Sequence, residues 1–260
     1  MSEAPAERHP PMKRSIFAIA IAFILLSTLA TTMAQKYDKK WTEWSKKDAL
    51  DVLEKSPWAQ TQNETDASEQ MYSPTSDPRL SGNRTTSNDD TRATQGATNQ
   101  ATNVKYHVRF FSARPIREAH IRIMELGQTA KPPAEAITRM HNFAEVKSEG
   151  SIIVTVAIEG SDQRSVNPVM QALNSAVIGT LKNTCYLQRA DGKQLFLEEY
   201  YPPGKDGFGA RFVFLRMPDE KPFIDAGSKE VRFFAQVNSN IKIDRRFKIA
   251  DMIYQGELEY

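Results

Sequence analysis

The stretch Cys185-Tyr186-Leu187-Gln188-Arg189, followed by Asp191-Gly192 and then Gln194-Leu195-Phe196-Leu197-Glu198-Glu199-Tyr200, carries the strongest hairpin signal in the chain. Asp-Gly accepts the positive φ values that a two-residue turn requires, and the flanking runs have the composition of strands. Everything downstream continues in this manner. A loop at 201–209, Tyr-Pro-Pro-Gly-Lys-Asp-Gly-Phe-Gly, leads to expected strands at 210–216, 230–237 and 241–249, the last two joined by Asn238-Ser239-Asn240.

Upstream the pattern mixes periods. Val104, Tyr106, Val108 and Phe110 alternate with Lys105, His107 and Arg109, the period of a half-buried strand. Arg114-Pro115 opens a helix that runs to near Gly127, with Ile116, Ala119, His120 and Ile123 along one side. Pro132-Pro133-Ala134-Glu135 opens a second, carrying Ile137, Met140, His141 and Ala144 and closing near Gly150. Residues 152–158 are nearly all β-branched and apolar, which predicts a central strand buried on both faces. Asn167 caps a third expected helix, with Pro168 first in it. Residues 104–260 therefore read as one α+β domain, a mostly antiparallel sheet with about three helices on one face.

Before this domain the composition shifts. Residues 60–103 are dominated by Ser, Thr, Asn, Gln and Asp, too poor in apolar surface to offset the entropy of ordering, and read as a disordered linker. Residues 35–59 read as a short Trp-rich helical segment. Ser45 followed by Asp48 predicts a capping box for a helix over 46–55, and Pro57 stops it. Trp41, Trp44 and Trp58 flank that helix. They either pack it onto the domain or contact a partner, an envelope protein or a membrane surface. Residues 1–34 hold Lys13-Arg14, an apolar run at 16–26, and small residues ending in Thr32-Met33-Ala34. These are the three regions of a secretory signal peptide, cut after Ala34; an uncleaved membrane anchor is the alternative.

Removing residues 1–34 takes away three basic residues (Arg8, Lys13, Arg14) and two acidic ones (Glu3, Glu7), leaving 31 against 30. A chain so close to neutral has no overall field to steer nucleic acid, which is excluded as a partner. The single cysteine, Cys185, permits no intramolecular disulfide, so an exported domain must rest on its apolar core.

The segments Lys40-Trp41-Thr42-Glu43-Trp44-Ser45-Lys46-Lys47-Asp48-Ala49, Ser56-Pro57-Trp58-Ala59, Arg109-Phe110-Phe111-Ser112-Ala113-Arg114-Pro115-Ile116-Arg117 and Asp251-Met252 through Leu258-Glu259-Tyr260 resemble a group of uncharacterised exported bacterial proteins. The resemblance spans most of the chain after residue 34. It implies a periplasmic, secreted or envelope-associated setting and carries no activity.

Candidate chemistry is sparse. His141 and Glu145 share a helix face and His120 lies nearby in sequence, yet both histidines sit on apolar stripes, so no metal or other cofactor is expected. Arg114 and Arg117 at a helix start oppose the helix dipole and call for a negative partner, either internal (Glu118 or a linker aspartate) or a bound anion. Tyr201, Lys205 and Asp206 place a second set of candidate ligand-binding groups on the 201–209 loop. The expectation is a non-catalytic binding or assembly module whose Trp segment and sheet loops contact partners. The rival is a hydrolase of an envelope polymer using Glu198, Glu199 or Asp206. Glu198 and Glu199 point to opposite faces of a strand, which argues against them as an acid–base pair.

Overall fold

The computed structural model describes residues 39–66, 102–130 and 132–260. The expected signal segment and most of the expected linker lie outside the described residues. The chain divides into two compact units, Met1–Trp44 and Ser45–Tyr260. In the first, the described part is a 3-10 turn at Trp41–Glu43, in which the Trp44 amide donates to the Trp41 carbonyl at 3.1 Å. Trp41 and Trp44 are 5% and 1% exposed.

The second unit opens with helix α1 (Lys46–Lys55). Its capping box is formed as expected, with the Asp48 amide donating to Ser45 Oγ and the Ser45 amide to the Asp48 carboxylate. Next come β1 (Ala59–Asp66), β2 (Thr102–Phe110), α2 (Arg114–Gly127), α3 (Ala134–Glu145), β3 (Ser151–Gly160), α4 (Gln163–Ser175) and the single turn α5 (Ile178–Leu181). The remainder is strand: β4 (Cys185–Arg189), β5 (Gln194–Phe196), β6 (Glu199–Tyr201), β7 (Ala210–Leu215), β8 (Glu230–Gln236), β9 (Lys242–Lys248), and a terminal hairpin of β10 (Ile253–Tyr254) and β11 (Glu257–Leu258). The fold is α+β with antiparallel pairing throughout.

Two sheets carry the core, one ordered β1-β2-β3-β7-β6 and the other β5-β4-β8-β9. They join on both sides. Residues 194–201 form one bent strand that leaves one sheet for the other: the Leu197 amide donates to Cys185 in the second sheet, and the next amide, Glu198, donates to Val213 in the first. On the opposite side the Gln62 carboxamide spans the gap between β1 and β9, giving Nε2–H to the Lys242 carbonyl at 2.7 Å and taking the Asp244 amide at 2.9 Å. With β5 and β6 counted as one bent strand, the two sheets make an eight-strand barrel.

The alternation of each strand points one set of side chains inward, and rings dominate that set. Phe110 meets Phe247 at 4.8 Å, and Phe233 meets Phe212 at 5.3 Å and Phe214 at 6.4 Å, all edge to face and all buried. Val108, Val154, Val156, Leu187, Leu195, Val231 and Ile243 fill the space between them. These side chains make up a buried core, and truncating one of the rings to alanine costs about 3–5 kcal/mol. Cys185 belongs to it, and burial pushes its thiol up to about 11, so it is inert. Tyr200, opposite Phe212, sends its hydroxyl to the Leu173 carbonyl at 2.6 Å, which ties α4 to one end of the barrel.

Several expectations need correcting. Residues 59–66 are a strand, so order extends into the stretch read as linker. Its sequence, Ala-Gln-Thr-Gln-Asn-Glu-Thr-Asp, has no apolar alternation; Thr61 and Gln62 spend their polar groups on His107 and β9 instead. Helix α4 begins earlier than expected because Asp162, not Asn167, is its cap, accepting the Ser165 amide at 2.9 Å; Pro168 lies inside the helix. The Asp191-Gly192 turn spans three residues, with the Arg189 amide on the Lys193 carbonyl and only Gly192 left-handed at φ 87°.

Because Gln62 closes the seam, Gln62→Ala should lower stability by about 1–2 kcal/mol in urea unfolding, the worth of two hydrogen bonds to backbone groups. An unchanged midpoint would mean that the seam contributes nothing.

Candidate functional site

Among the described residues polar side chains gather at the start of α2, on the 201–209 loop and at the end of β4, and the ligand candidates Arg114, Arg117, Tyr201, Lys205 and Asp206 fall in the first two. The first surrounds the start of α2. Arg114 Nε donates to Glu259 Oε1 at 2.5 Å while its backbone amide donates to Glu259 Oε2 at 3.2 Å, so one buried carboxylate serves both the side chain and the helix end. The internal partner expected for Arg114 therefore exists, but it is Glu259 from the far end of the chain rather than Glu118 or a linker residue. Glu259 also offers its carbonyl to Trp58 Nε1 at 2.7 Å, and Trp58 is fully buried, edge-on to Tyr254 at 6.1 Å. Trp58 is a packing residue with no surface left for a partner. Arg117 is buried too, and its guanidinium binds the carbonyls of Phe111, Ser112, Phe143 and Val146. Burial pulls it down to about 10, still charged at neutral pH. It staples the β2–α2 loop to the end of α3 and is buried there rather than presented to a ligand.

The second place is the 201–209 loop. Asp206 pairs with Arg211 at 3.3 Å and accepts the Phe208 amide at 3.1 Å; the Tyr201 hydroxyl donates to Glu199 at 2.6 Å; Lys205 is exposed. Gly209 (φ 85°) lies so close to β3 that a Cβ there would stand 2.2 Å from the Val156 carbonyl oxygen, so only glycine fits. Phe208 then reaches His120 and Phe111, at 5.0 and 4.7 Å. His120 packs against rings, as its apolar stripe implied, but its Nε2 is buried without a hydrogen-bond partner among the described residues; burial, then the charge of Arg109, push it down to about 3. His141 instead contacts Glu125 at 2.6 Å. The two histidines thus sit in different surroundings, and no group of three metal-ligating side chains occurs among the described residues.

The third place was missed. At the end of β4 Arg189 falls on the inward-facing side, in register with buried Val231, at the mouth of the barrel. Its guanidinium donates to the Phe223 carbonyl at 3.0 Å and pairs with Asp191 at 2.9 Å. A cleft of about 480 Å³ opens beside it, lined by Lys193, Pro218, Asp219, Lys221, Phe223 and Asp225 among others. A smaller one of about 240 Å³, lined by Asp191, Ser228 and Lys229, shares Arg189. Asp219 and Glu220 on the rim have φ of 56° and 59°, the left-handed region, which side-chain-bearing residues occupy only when surroundings hold them there. The Ser228 hydroxyl, at 3.0 Å, holds Asp225 below the usual carboxylate range. In sequence the only hints were Pro218 and Pro222 bracketing a charged run next to the Asp-Gly turn. Glu198, Glu199, Asp206 and His141 line neither cleft.

No protein-family model matches this sequence, no curated protein matches it, and no solved structure matches it. Among the described residues no helix is long and apolar enough to cross a membrane.

Two buried groups, Glu118 and His120, tie stability to pH in opposite senses. Glu118, fully enclosed with the Tyr254 hydroxyl at 2.6 Å, is pushed by burial up to about 7. The folded protein keeps this proton well above pH 4.5, where the unfolded chain loses it, so stability falls as pH rises through that window. His120 works oppositely: folded it stays neutral down to about pH 3, while the unfolded chain takes the proton near 6.5, so stability falls as pH drops. Between pH 4.5 and 6.5 the two slopes offset. Relative to wild type, Glu118→Gln should therefore gain stability with rising pH across that range, by up to about 1.4 kcal/mol per pH unit in urea unfolding. A flat difference would show that Glu118 titrates normally. Separately, Glu220→Gly should raise stability by roughly 0.5–1 kcal/mol through relief of the left-handed backbone; a loss would mean the Glu220 side chain holds the loop.

Proposed function

We propose that this is an exported, envelope-associated or secreted protein acting as a non-catalytic binding or assembly module, with the cleft around Arg189 as its contact site. The observation that carries the reading is that cleft: it opens at the mouth of the barrel, where small barrels commonly take ligands, and its rim holds two left-handed non-glycine residues. Its lining mixes Arg189, Lys193 and Lys221 with Asp219 and Asp225, a charge pattern suited to contacts of either sign at the edge of a partner. The hydrolase reading has less support. General acid catalysis needs a carboxyl held protonated, and Asp225 is shifted toward the ionised form.

The export half of the proposal rests on the pattern of residues 1–34 and on the resemblance to exported bacterial proteins. Both halves are open to one experiment in the producing bacterium. The chain is expressed with a photo-crosslinking residue at position 221, the cells are fractionated, and the N-terminus is read by mass spectrometry. The expected result is a chain beginning at Gln35 outside the cytoplasm, or an intact one in the membrane fraction if the segment anchors, with a discrete crosslinked adduct that Lys193→Glu weakens. A cytoplasmic chain with an intact N-terminus would overturn the export claim, and absence of any adduct would overturn the assignment of the cleft.

A further inference from the structure

The seam closed by Gln62 has a second property, independent of the Arg189 cleft. Gln62 donates its Nε2–H to the Lys242 carbonyl and accepts the Asp244 amide on its own oxygen, so the edge of β9 that points away from β8 is the one carrying the groups of residues 242 and 244. By the two-residue repeat of a strand, the amide and carbonyl of Arg246 point out of the same edge. Among the described residues no backbone-to-backbone hydrogen bond joins β1 to β9. Two strand edges therefore face each other and are held by one side chain. That side chain is a carboxamide, the chemical equivalent of a peptide unit, placed where the peptide of a neighbouring strand would sit.

The side chains along this edge are basic. β9 reads Lys242, Ile243, Asp244, Arg245, Arg246, Phe247, Lys248. Its one acid is engaged by Arg232 at 2.5 Å, and Arg246 is engaged by Glu230 at 2.9 Å. Arg245 is different. It lies in alternation with buried Ile243 and Phe247, its Nε is buried, and it makes no hydrogen bond or ion pair among the described residues. A half-buried guanidinium without an acceptor is costly, and it is satisfied by a carboxylate brought to the seam.

We propose that the β1–β9 seam is a strand-addition site for an extended acidic peptide segment of a partner protein. The peptide backbone takes over from Gln62 at Lys242 and Asp244 and continues along Arg246. One of its acidic side chains pairs with Arg245, while Lys242 and Lys248 favour further acids. Backbone pairing supplies affinity and the alternating side chains supply selectivity, as in other edge-strand recognition. Gln62 is then a latch that keeps the exposed edge from pairing indiscriminately.

The test uses the full chain and three labelled peptides in fluorescence anisotropy: one alternating glutamate with valine, the same peptide with alternate backbone nitrogens methylated, and one alternating lysine with valine. The proposal expects saturable binding of the first only. Arg245→Ala should weaken it about tenfold or more, the loss of a charge-assisted pair. Gln62→Ala should strengthen it, and the Arg246 amide should become protected from hydrogen exchange on binding. Equal binding of the methylated peptide, no saturable binding by the glutamate peptide to either wild type or Gln62→Ala, or Arg246 protection already complete without peptide would each overturn it. The crosslinking outcome at position 221 is unaffected by any of these results, so failure here is distinguishable from failure of the functional reading.

Discussion

The bend at Leu197 and Glu198 is the constraint on which the rest depends. Two successive amides donate to strands of different sheets, so residues 194–201 cannot shift register in one sheet without breaking the other. That fixes the distance and angle between the sheets. It also sets which rings meet inside, and leaves a gap on the opposite side narrow enough for one glutamine to bridge. Among the described residues the barrel thus has no long free edge except at this seam, the usual way for an antiparallel sheet to avoid unwanted pairing.

Outside the barrel, the stabilising logic changes from apolar packing to buried charge. Glu259, directly after β11, meets Arg114, the α2 amide end and, through its carbonyl, Trp58. Arg117 binds four carbonyls with one guanidinium. Arg109, also buried, gives Nε–H to the Leu53 carbonyl at 2.7 Å and so ties α1 to the outer face of β2. Each of these groups would be expensive to bury alone, and each is given a hydrogen-bond partner: donors for the Glu259 carboxylate, carbonyl acceptors for Arg109 and Arg117. The helices are docked by such contacts as much as by apolar surface. This is why the arginines that looked available for a ligand are in fact occupied.

The parts of this architecture legible in the sequence are those with strong periodicity or a specific local device. The alternation of residues 104–110 and the β-branched run at 152–158 gave strands where they occur, and the Ser45 and Asp48 pair gave α1. The strand at 59–66 was hidden because its side chains satisfy polar partners rather than a core, and a period-two test sees only apolar alternation. The terminal hairpin was hidden by brevity: its turn, Gln255-Gly256, with φ of 51° and 83°, is left-handed at both positions, but the strands on either side have two residues each. The site was harder still. The roles of Arg114 and Glu259 depend on contacts 145 positions apart, and the clefts at Arg189 arise only when the β4–β5 turn meets the 217–229 loop.

Amide hydrogen exchange by NMR on the full chain tests the central claim, that one bent strand and one glutamine close two sheets into a single barrel. The Leu197, Glu198 and Asp244 amides should exchange with the slowest core class, in step with Val154 and Phe233. Fast exchange at Leu197 or Glu198, or two sheets that open with different free energies, would contradict it.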